Sequence, residues 1–406
     1  MSTPEKINNS DAKLLKVLVA PLDWGLGHAT RCIPVVKELL NQRCVVIIAA
    51  TGAQKALLHE EFPSLHFVEI PGYRIKYGKN RALSIFRLIR SIPKILIRVK
   101  QENGWLRRFV RLERPDLVVS DNRYGLYLPD TCCVFMTHQL LIRTPFGGSF
   151  GRVADRLLQR LNYFFIRRFS RCWVPDTPGD DALGGKLSHP GSMPPIPTSY
   201  IGWLSRFGAV DGAGTVGGDG AVGGDGSVEG EGVVDGDGAG AVDLLVLLSG
   251  PEPQRTILEK MILGQAAGVN QAASGGYRIV VVRGLPGGGK PVPALPGVLI
   301  HDHLRAAALE PLIRRSSLVL ARSGYSTVMD LARLGKRAIY IPTPGQTEQE
   351  YLGAWLAEHG WGLCIQQKGL SLPAALAAAA AFTFRQVEEK HEDLLAKAIG
   401  EVLRTL

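Results

Sequence analysis

Several features that are common in membrane and secreted proteins are missing from this sequence of 406 residues. No run of about 18 or more apolar residues occurs, so we expect no membrane-spanning helix. The first residues contain no apolar stretch typical of a signal peptide. The six cysteines form no CxxC pair, so neither a disulfide framework nor a structural zinc site is predicted. These absences favour a reducing, cytoplasmic location.

Acidic residues are in deficit, because 37 Asp and Glu stand against 47 Lys and Arg, for a formal net charge of +10. Hydrophobic residues make up 46% of the chain and charged residues 21%, which is a globular composition rather than a disordered one. The length predicts two or three domains of ordinary size.

A low-complexity segment divides the chain. Residues 209–242 consist mainly of Gly, Ala, Val and acidic residues, contain no Lys or Arg, and have little to bury. This composition is typical of a flexible linker. The predicted organisation is therefore an N-terminal domain over 15–205, an acidic Gly-rich linker over 206–242, a C-terminal domain over 243–385 and a last helix over 386–406.

Both halves alternate short apolar strands with helical stretches. KVLVA (16–20) and VVIIAA (45–50) are strands of the first half, and DLLVLLS (243–249) and YRIVVV (277–282) belong to the second. Continuous apolar strands that alternate with helices indicate parallel sheets covered on both faces. We predict an α/β protein of two doubly wound domains facing across a cleft, with ligands at the carboxyl ends of the strands.

The first loop of the N-terminal half has two glycines and a histidine. Gly25, Gly27 and His28 follow a strand and precede a helix, and the glycines let the backbone approach a ligand closely. The third glycine of a dinucleotide fingerprint is absent, since Thr30 occupies its place. His28 is a candidate base or substrate contact on the acceptor side, and an ordinary histidine at a helix start is the alternative.

A polar group follows a strand of the second half and precedes a helix. Its members are Arg322, Ser323, Gly324, Ser326 and Thr327. The N-terminus of the helix can bind a diphosphate through backbone N–H groups and the helix dipole. Asp330 follows, and it either forms a capping box with Thr327 or accepts hydrogen bonds from two ribose hydroxyls.

A second such pattern begins at Thr347. Thr347 and Glu350 have the spacing of a capping box. In the alternative interpretation, Gln349 and Glu350 form hydrogen bonds with the hydroxyls of a sugar across the cleft. Residue chemistry alone leaves the two interpretations equal.

Residues 321–356, ARSGYSTVMDLARLGKRAIYIPTPGQTEQEYLGAWL, resemble the family 28 type of GT-B glycosyltransferases. That family includes the MurG-type peptidoglycan N-acetylglucosaminyltransferases and the diacylglycerol galactosyltransferases. Its members have a similar Arg-Ser-Gly, an acidic residue in the next helix, a Gly at the end of that helix and paired polar residues before Tyr. The resemblance covers residues 15–207 and 243–370, and it implies the GT-B fold and a last helix that returns to the N-terminal domain.

The resemblance also implies roles for individual residues. Asp330 would bind the ribose, Gln349 and Glu350 the donor sugar, and Ser249 and Gly250 the diphosphate. Arg206 matches an arginine near the end of the family's first domain, and His28 matches the histidine of its first glycine loop. The acceptor-side element is Thr137-His138-Gln139-Leu140, which differs from the His-Glu-Gln-Asn of the peptidoglycan enzyme and argues against that enzyme itself.

The resemblance implies transfer of a hexosyl group from a nucleotide diphosphate sugar, expected to be a UDP sugar, to an acceptor hydroxyl with inversion. His28 is the first candidate for the base, and Asp121 and His138 are alternatives at the same sheet edge. No DxD motif occurs in a suitable strand–loop context, so we expect no metal and no cofactor. The alternative functions are a nucleotide-sugar 2-epimerase and a non-catalytic nucleotide-sugar-binding protein.

Basic residues are concentrated at 73–111, where they alternate with apolar residues at helical spacing, and at 156–171, where aromatic residues accompany them. A basic amphipathic pattern predicts peripheral binding to an anionic membrane, with a lipid or lipid-linked acceptor. Two alternatives are a soluble acidic glycan acceptor and helices whose apolar faces are buried in the domain. We expect no nucleic-acid partner, because no recognisable binding module accompanies the charge.

Overall fold

The computed structural model describes residues 14–73, 81–146, 148–208, 240–272, 276–387 and 393–406. Most of the predicted linker, residues 209–239, lies outside the described residues. The basic residues Arg74, Lys76 and Lys79 of the segment 73–111 also lie outside them.

The N-terminal domain is a parallel sheet with helices between its strands. Its strands are β1 (Lys16–Pro21), β2 (Val45–Ala49), β3 (His66–Val68), β4 (Leu117–Asp121), β5 (Cys132–Met136), β6 (Arg171–Val174) and β7 (Thr198–Tyr200). Its helices are α1 (Leu26–Asn41), α2 (Gly52–Glu61), α3 (Arg81–Glu113) and α4 (Gly148–Ile166). The strand order is β3-β2-β1-β4-β5-β6-β7 and every pairing is parallel.

The C-terminal domain repeats this arrangement. Its strands are β8 (Val242–Leu247), β9 (Ile279–Val282), β10 (Val298–His301), β11 (Ser316–Ala321), β12 (Ala338–Tyr340) and β13 (Leu363–Cys364). Its helices are α5 (Gln254–Ala272), α6 (Ala306–Arg314), α7 (Tyr325–Arg333), α8 (Thr347–Glu358) and α9 (Leu372–Ala381). The sheet order is β10-β9-β8-β11-β12-β13, again with parallel pairing.

The predicted α/β architecture of two doubly wound domains is confirmed. In each sheet the chain order reverses beside the first strand, between β1 and β4 in one domain and between β8 and β11 in the other. Such a switch point opens a crevice at the carboxyl ends of the strands, because the following helices cross to opposite faces. The two crevices belong to the cleft between the domains.

One apolar core is continuous through both domains. The segment after β7 contributes Trp203, Leu204 and Phe207, which are buried in the same cluster as Val36 of α1 and Met329 of α7. A 3.3 Å hydrogen bond from the backbone N–H of Leu204 to the side-chain sulfur of Met329 joins the same segment to the second domain. Apolar burial therefore holds the two domains together beside the cleft.

The last helix, α10 (Leu394–Leu403), packs on the N-terminal domain although it follows the C-terminal domain in sequence. Ile399 is fully buried in the cluster that contains Leu39 of α1. The Gln42 side-chain amide donates a 3.0 Å hydrogen bond to the backbone carbonyl of Ala396. The chain thus crosses between the domains twice.

Replacing Ile399 with alanine should test this docking. Removing most of a fully buried isoleucine leaves a cavity, so we expect the free energy of unfolding to fall by about 2–5 kcal/mol. Leu406→Ala is the matched control, because Leu406 is 47% exposed. Urea denaturation measures both. Equal and small losses for the two variants would contradict the docking of α10 on α1.

Candidate active site

Two hydrogen bonds close the cleft, and they join the start of α1 and the segment after β5 to the N-termini of α7 and α8. The Ser326 hydroxyl, in the first turn of α7, donates a 2.7 Å hydrogen bond to the Gly27 carbonyl. A Cβ at position 27 would lie 3.0 Å from the Ser326 hydroxyl oxygen, so a glycine permits the approach. The Thr347 hydroxyl at the start of α8 donates to the Arg143 carbonyl at 2.9 Å.

His28 and Asp121 meet at the switch point of the first sheet. Helix α1 begins at Leu26, earlier than the sequence pattern indicates, so His28 lies in its first turn rather than in a loop. Its Nδ1 atom is 2.8 Å from the Oδ2 atom of Asp121, the last residue of β4. The Asp121 side chain is fully buried and the His28 side chain is 17% exposed.

Arg31 contacts both members of this pair, and no sequence pattern indicates its role. Three residues after His28 on α1, it lies on the same face of the helix, and its Nε donates to Asp121 Oδ1 at 2.9 Å. Its Nη2 group also donates to Asp121 Oδ1. Burial alone would raise the pKa of the Asp121 carboxyl, but the charge of Arg31 holds it below its ordinary value. Asp121 is therefore an anion in the neutral pH range.

Burial and the charge of Arg31 lower the pKa of His28, so its imidazole is neutral near pH 7. Two hydrogen-bond arrangements compete at the Nδ1 atom of His28, because Arg31 Nη2 also lies 2.7 Å from it. Nδ1 either donates a proton to Asp121 or accepts one from Arg31. A proton on Nδ1 satisfies Asp121 Oδ2, an anionic oxygen whose other contact among the described residues is the Cys32 thiol at 4.0 Å. Leaving a buried carboxylate oxygen without a donor costs more than leaving one N–H of a guanidinium that has other partners. The Nε2 atom then has the free lone pair.

His138 and Gln139 follow β5 and contact the other domain. The Arg31 Nη1 group donates to His138 Nδ1 at 3.0 Å, and His138 Nε2 lies 2.7 Å from Glu348 Oε1. Gln139 donates its amide to the other oxygen of Glu348. The predicted sugar contacts are Gln349 and Glu350, whereas the carboxylate that crosses the cleft belongs to Glu348.

The capping-box interpretations of both C-terminal helices are wrong. Helix α7 has its N-cap at Gly324, so Thr327 is the third helical residue and Asp330 lies in the second turn. Helix α8 has its N-cap at Gln346, and the Thr347 hydroxyl donates to the other domain instead. The Glu350 carboxylate accepts a 3.0 Å hydrogen bond from the Gly345 N–H, in its own domain.

Asp330 lies beside Arg206 at the junction of the two domains. The Ser205 hydroxyl donates to Asp330 Oδ1 at 2.8 Å, and Arg206 Nε lies 3.3 Å from Oδ2. Burial raises the pKa of the Asp330 carboxyl above its ordinary value although these partners act against it. The structure thus brings together Arg206 and Asp330, two of the predicted donor-side residues.

The other predicted donor-side residues gather at the switch point of the second sheet. Gly250, after β8, has a φ of 97° and lies close to Thr343 and Arg322. The buried Arg322 donates to the backbone carbonyls of Ile341, Pro342 and Gln254, so it supports the loops of this edge. Burial lowers the pKa of Arg322 to about 10.

Gln349 is held in place beside Ser323. The Ser323 hydroxyl donates to the Gln349 carbonyl at 2.8 Å, and the Thr343 N–H donates to Gln349 Oε1 at 2.9 Å. The Gln349 Nε2 group lies beside Gly324, and a Cβ atom added to that glycine would be 3.8 Å from it. Ser249 and Gly250 belong to this edge as part of the loop after β8.

The remaining acceptor-side residue, Gly25, is the N-cap of α1. Its φ of 145° is a backbone conformation that residues with a side chain rarely adopt. Gln54 of α2 donates its amide to the Gly25 carbonyl at 2.7 Å, which fixes the loop. In the described part of the chain, the His, Cys, Asp and Glu side chains form no group suited to a metal ion.

Comparison with known proteins extends these observations. Residues 306–399 match the glycosyltransferase family 28 C-terminal domain. A stretch of 63 residues is 46% identical to the UDP-N-acetylglucosamine--N-acetylmuramyl-(pentapeptide) pyrophosphoryl-undecaprenol N-acetylglucosamine transferases of Methylorubrum extorquens (strain PA1) and Methylorubrum populi. The stretch spans 15% of this chain and 17% of the length of each of those relatives.

Solved structures match over almost the whole chain. Spinosyn rhamnosyltransferase SpnG complexed with thymidine diphosphate has a TM-score of 0.58 at 16% identity, covering 96% of both chains. Spinosyn forosaminyltransferase SpnP has a TM-score of 0.57 at 13% identity, covering 96% of this chain and 99% of that one. The glycosyltransferase SnogD from Streptomyces nogalater has a TM-score of 0.54 at 16% identity, covering 97% and 100%.

At these identities the structural likeness shows the fold. The predicted resemblance is confirmed: this chain has the GT-B fold of glycosyltransferases and is similar to their family 28 in the C-terminal domain.

Proposed function

We propose that this protein transfers a glycosyl group from a nucleotide diphosphate sugar to an acceptor hydroxyl, with inversion. The observation that supports it most is the His28–Asp121 pair, a neutral histidine with a free Nε2 held by a buried carboxylate at the cleft between two Rossmann-like domains. The family 28 domain at 306–399 supports a nucleotide-sugar donor.

In this proposal His28 Nε2 takes the proton of the acceptor hydroxyl as its oxygen attacks the anomeric carbon. The bond from that carbon to the phosphate oxygen of the donor breaks, and the nucleotide diphosphate leaves. Asp121 stabilises the imidazolium that forms and keeps the proton of the resting histidine on Nδ1. Attack in one step from the face opposite the leaving group inverts the anomeric carbon.

The leaving diphosphate needs positive partial charge. The proposed sources are the backbone N–H groups of the Ser249–Gly250 turn, the N-terminus of α7 at Gly324 and the Arg206 guanidinium. Ser326 and Thr327 add hydroxyl groups in the first turn of α7. The loop after β8 and the start of α7 follow the two strands of the second switch point, where a phosphate site is expected in this type of sheet.

We propose a UDP sugar as the donor, because the curated relatives are named for UDP-N-acetylglucosamine. The neighbour complexed with thymidine diphosphate supports the more general statement that a nucleoside diphosphate fits this fold. Asp330 would accept hydrogen bonds from the ribose hydroxyls, and Gln349 and Glu350 would contact the hexose.

Replacing His28 with alanine tests the base. We expect turnover, measured as acceptor-dependent release of UDP, to fall by ~10²–10⁴-fold while donor binding changes little. Because the pKa of His28 is lowered and the base must be neutral, wild-type turnover should stay level as the pH falls past 6.5, the ordinary histidine value, and decrease only below it.

His66→Ala is the control for this experiment, since His66 is an exposed histidine on β3, away from the cleft. Near-normal turnover in His28→Ala would transfer the role of the base to His138 or Asp121.

Asp330→Asn tests the ribose contact. Replacing the charged acceptor should weaken UDP binding by ~1.5–3 kcal/mol, the contribution of charge-assisted hydrogen bonds. Isothermal titration calorimetry measures the affinity, and Ser205→Ala is the control that removes a protein partner of Asp330 but not its carboxylate. Unchanged affinity with a large loss of thermal stability would show that Asp330 serves only to anchor the Ser205–Arg206 segment.

Helix α4 supports a lipid or lipid-linked acceptor. A row of exposed apolar side chains runs along it at helical spacing, namely Val153 (52% exposed), Leu157 (58%), Leu161 (46%) and Phe164 (40%). The exposed residues Arg152, Arg156 and Arg160 each precede one of these positions. An apolar row bordered by arginines suits the interface of an anionic membrane. The relatives' printed name includes an undecaprenol-linked acceptor.

Helix α3 adds to this surface in its described part. Leu96 is 48% exposed and Ile97 is 58% exposed, beside exposed Lys94. Val99 of the same helix is buried, so the helix is attached to the domain along one face. No helix in the described ranges has the length and apolarity needed to span a bilayer. The exposed apolar and basic side chains of α4 and α3 are the basis on which we propose peripheral binding.

Vesicle co-sedimentation tests this proposal. Replacing Arg152, Arg156 and Arg160 with Gln should reduce partition to phosphatidylglycerol-containing vesicles by about 100-fold, since each basic residue near an anionic surface contributes ~1 kcal/mol. The control with the same change of charge is Lys260, Lys290 and Lys368→Gln, three exposed residues of the C-terminal domain. Equal partition of the wild type to neutral and anionic vesicles, or to neither, would contradict membrane binding and favour a soluble glycan acceptor.

A further inference from the structure

Glu348 joins the two domains at the candidate active site. It lies in the first turn of α8, and its carboxylate accepts hydrogen bonds from His138 Nε2 at 2.7 Å and from the Gln139 amide. Burial alone would raise its pKa, but His138 and Arg31 hold the pKa of Glu348 below its ordinary value. It is therefore an anionic acceptor at neutral pH.

An acceptor at this position determines which nitrogen of His138 has the proton. A carboxylate cannot donate, so the proton of His138 lies on Nε2 and points at Glu348. The Nδ1 atom then has a lone pair, and that lone pair accepts the 3.0 Å hydrogen bond from Arg31 Nη1. Arg31 can only donate, so the other tautomer of His138 would place two N–H groups against each other.

The position of Arg31 in turn determines that of the catalytic pair. With Nη1 bound to His138, its Nε and Nη2 groups are aimed at Asp121 Oδ1. Asp121 Oδ2 is left for His28 Nδ1, and a proton on Nδ1 frees His28 Nε2, although Arg31 Nη2 also lies 2.7 Å from Nδ1. A continuous series of hydrogen bonds, through the position of Arg31, thus connects Glu348 in one domain to His28 in the other.

We propose that Glu348 is a positioning residue that fixes the His138 tautomer and, through Arg31 and Asp121, aligns His28 for proton transfer when the cleft is closed. This inference rests on the proposed function, in which His28 is the base. It also assigns His138 a role other than that of a base, because both of its ring nitrogens already have protein partners.

Other groups face this chain from the surrounding elements. The Cys32 thiol of α1 contacts Asp121, and the Tyr325 ring of α7 stacks on His138 with a centroid distance of 4.2 Å and an interplanar angle of 5°. The stacking fixes the orientation of the His138 ring. A change of tautomer therefore moves the proton from one ring nitrogen to the other without turning the ring. Glu348 is thus the group by which the second domain selects the tautomer.

Three substitutions at Glu348 separate hydrogen-bond direction from charge. Glu348→Gln removes the charge but retains an oxygen acceptor for His138. Glu348→Ala removes the acceptor. Glu348→Lys offers a donor and should force the proton of His138 onto Nδ1, against Arg31. Glu358→Ala, an exposed glutamate at the other end of α8, is the control.

Ring ¹⁵N spectra of histidine-labelled protein report the tautomers directly and need no substrate. We expect His138 to have its proton on Nε2 in the wild type and in Glu348→Gln, and on Nδ1 in Glu348→Lys, with the His28 signals shifting in Glu348→Ala and Glu348→Lys. His28→Gln and His138→Gln spectra assign the signals. An unchanged His138 tautomer in all three variants, or His28 signals that stay fixed when His138 switches, would overturn the proposal.

Steady-state kinetics provide a second test. If Glu348 only stabilised the fold, the three variants would not lose kcat in the order given next. We expect kcat to fall about 10-fold or more in Glu348→Ala and further in Glu348→Lys, with Glu348→Gln near the wild type and the Kd for UDP within about 2-fold in all. Equal losses in Gln and Ala would overturn the proposal. If the wild type turned over no nucleotide sugar, the proposed function would fail while the spectra would still test the coupling.

Discussion

The ion pair between Arg31 and Asp121 is the interaction on which the rest of the candidate site depends. Both side chains are almost fully buried, and neither charge is tolerable there alone, since removing one partner of a buried pair typically costs 3–5 kcal/mol. The pair keeps Asp121 ionised, and an ionised Asp121 has one oxygen left for His28. Asp121 lies at the end of β4, beside His28. The Arg31–Asp121 ion pair therefore explains both the neutral imidazole of His28 and the free lone pair of its Nε2 atom.

Sheet topology explains why these residues meet. His28 follows β1 and Asp121 ends β4, and these strands are neighbours in space although two strands and three helices separate them in sequence. The turn after β8 and the residues after β11 occupy the equivalent place in the second sheet. The two switch points are the places where a parallel sheet leaves room for a ligand. The proposed base and the proposed phosphate-binding groups therefore lie in opposite walls of one cleft.

Much of this arrangement could be predicted from the sequence, because it depends on local signals. Apolar strands that alternate with helices identify two doubly wound domains, and a polar residue directly after such a strand must lie at the ligand edge. The helix starts were predicted less well. Thr327 and Thr347 have the spacing of capping boxes, but the N-caps are Gly324 and Gln346. The hydroxyls of Ser326 and Thr347 donate to the other domain instead.

Arg31 and Glu348 could not be predicted, because their roles are defined only when distant segments meet. An arginine in an amphipathic helix and a glutamate in a first helical turn are ordinary surface residues by sequence pattern. In the structure Arg31 is buried against Asp121 below the cleft, and Glu348 reaches across the cleft to His138. A site built in this way is complete only when both domains are in contact, because the group that orients His138 belongs to the second domain. Closure and alignment of the base are then one event, which would limit proton transfer to the state in which donor and acceptor are enclosed together.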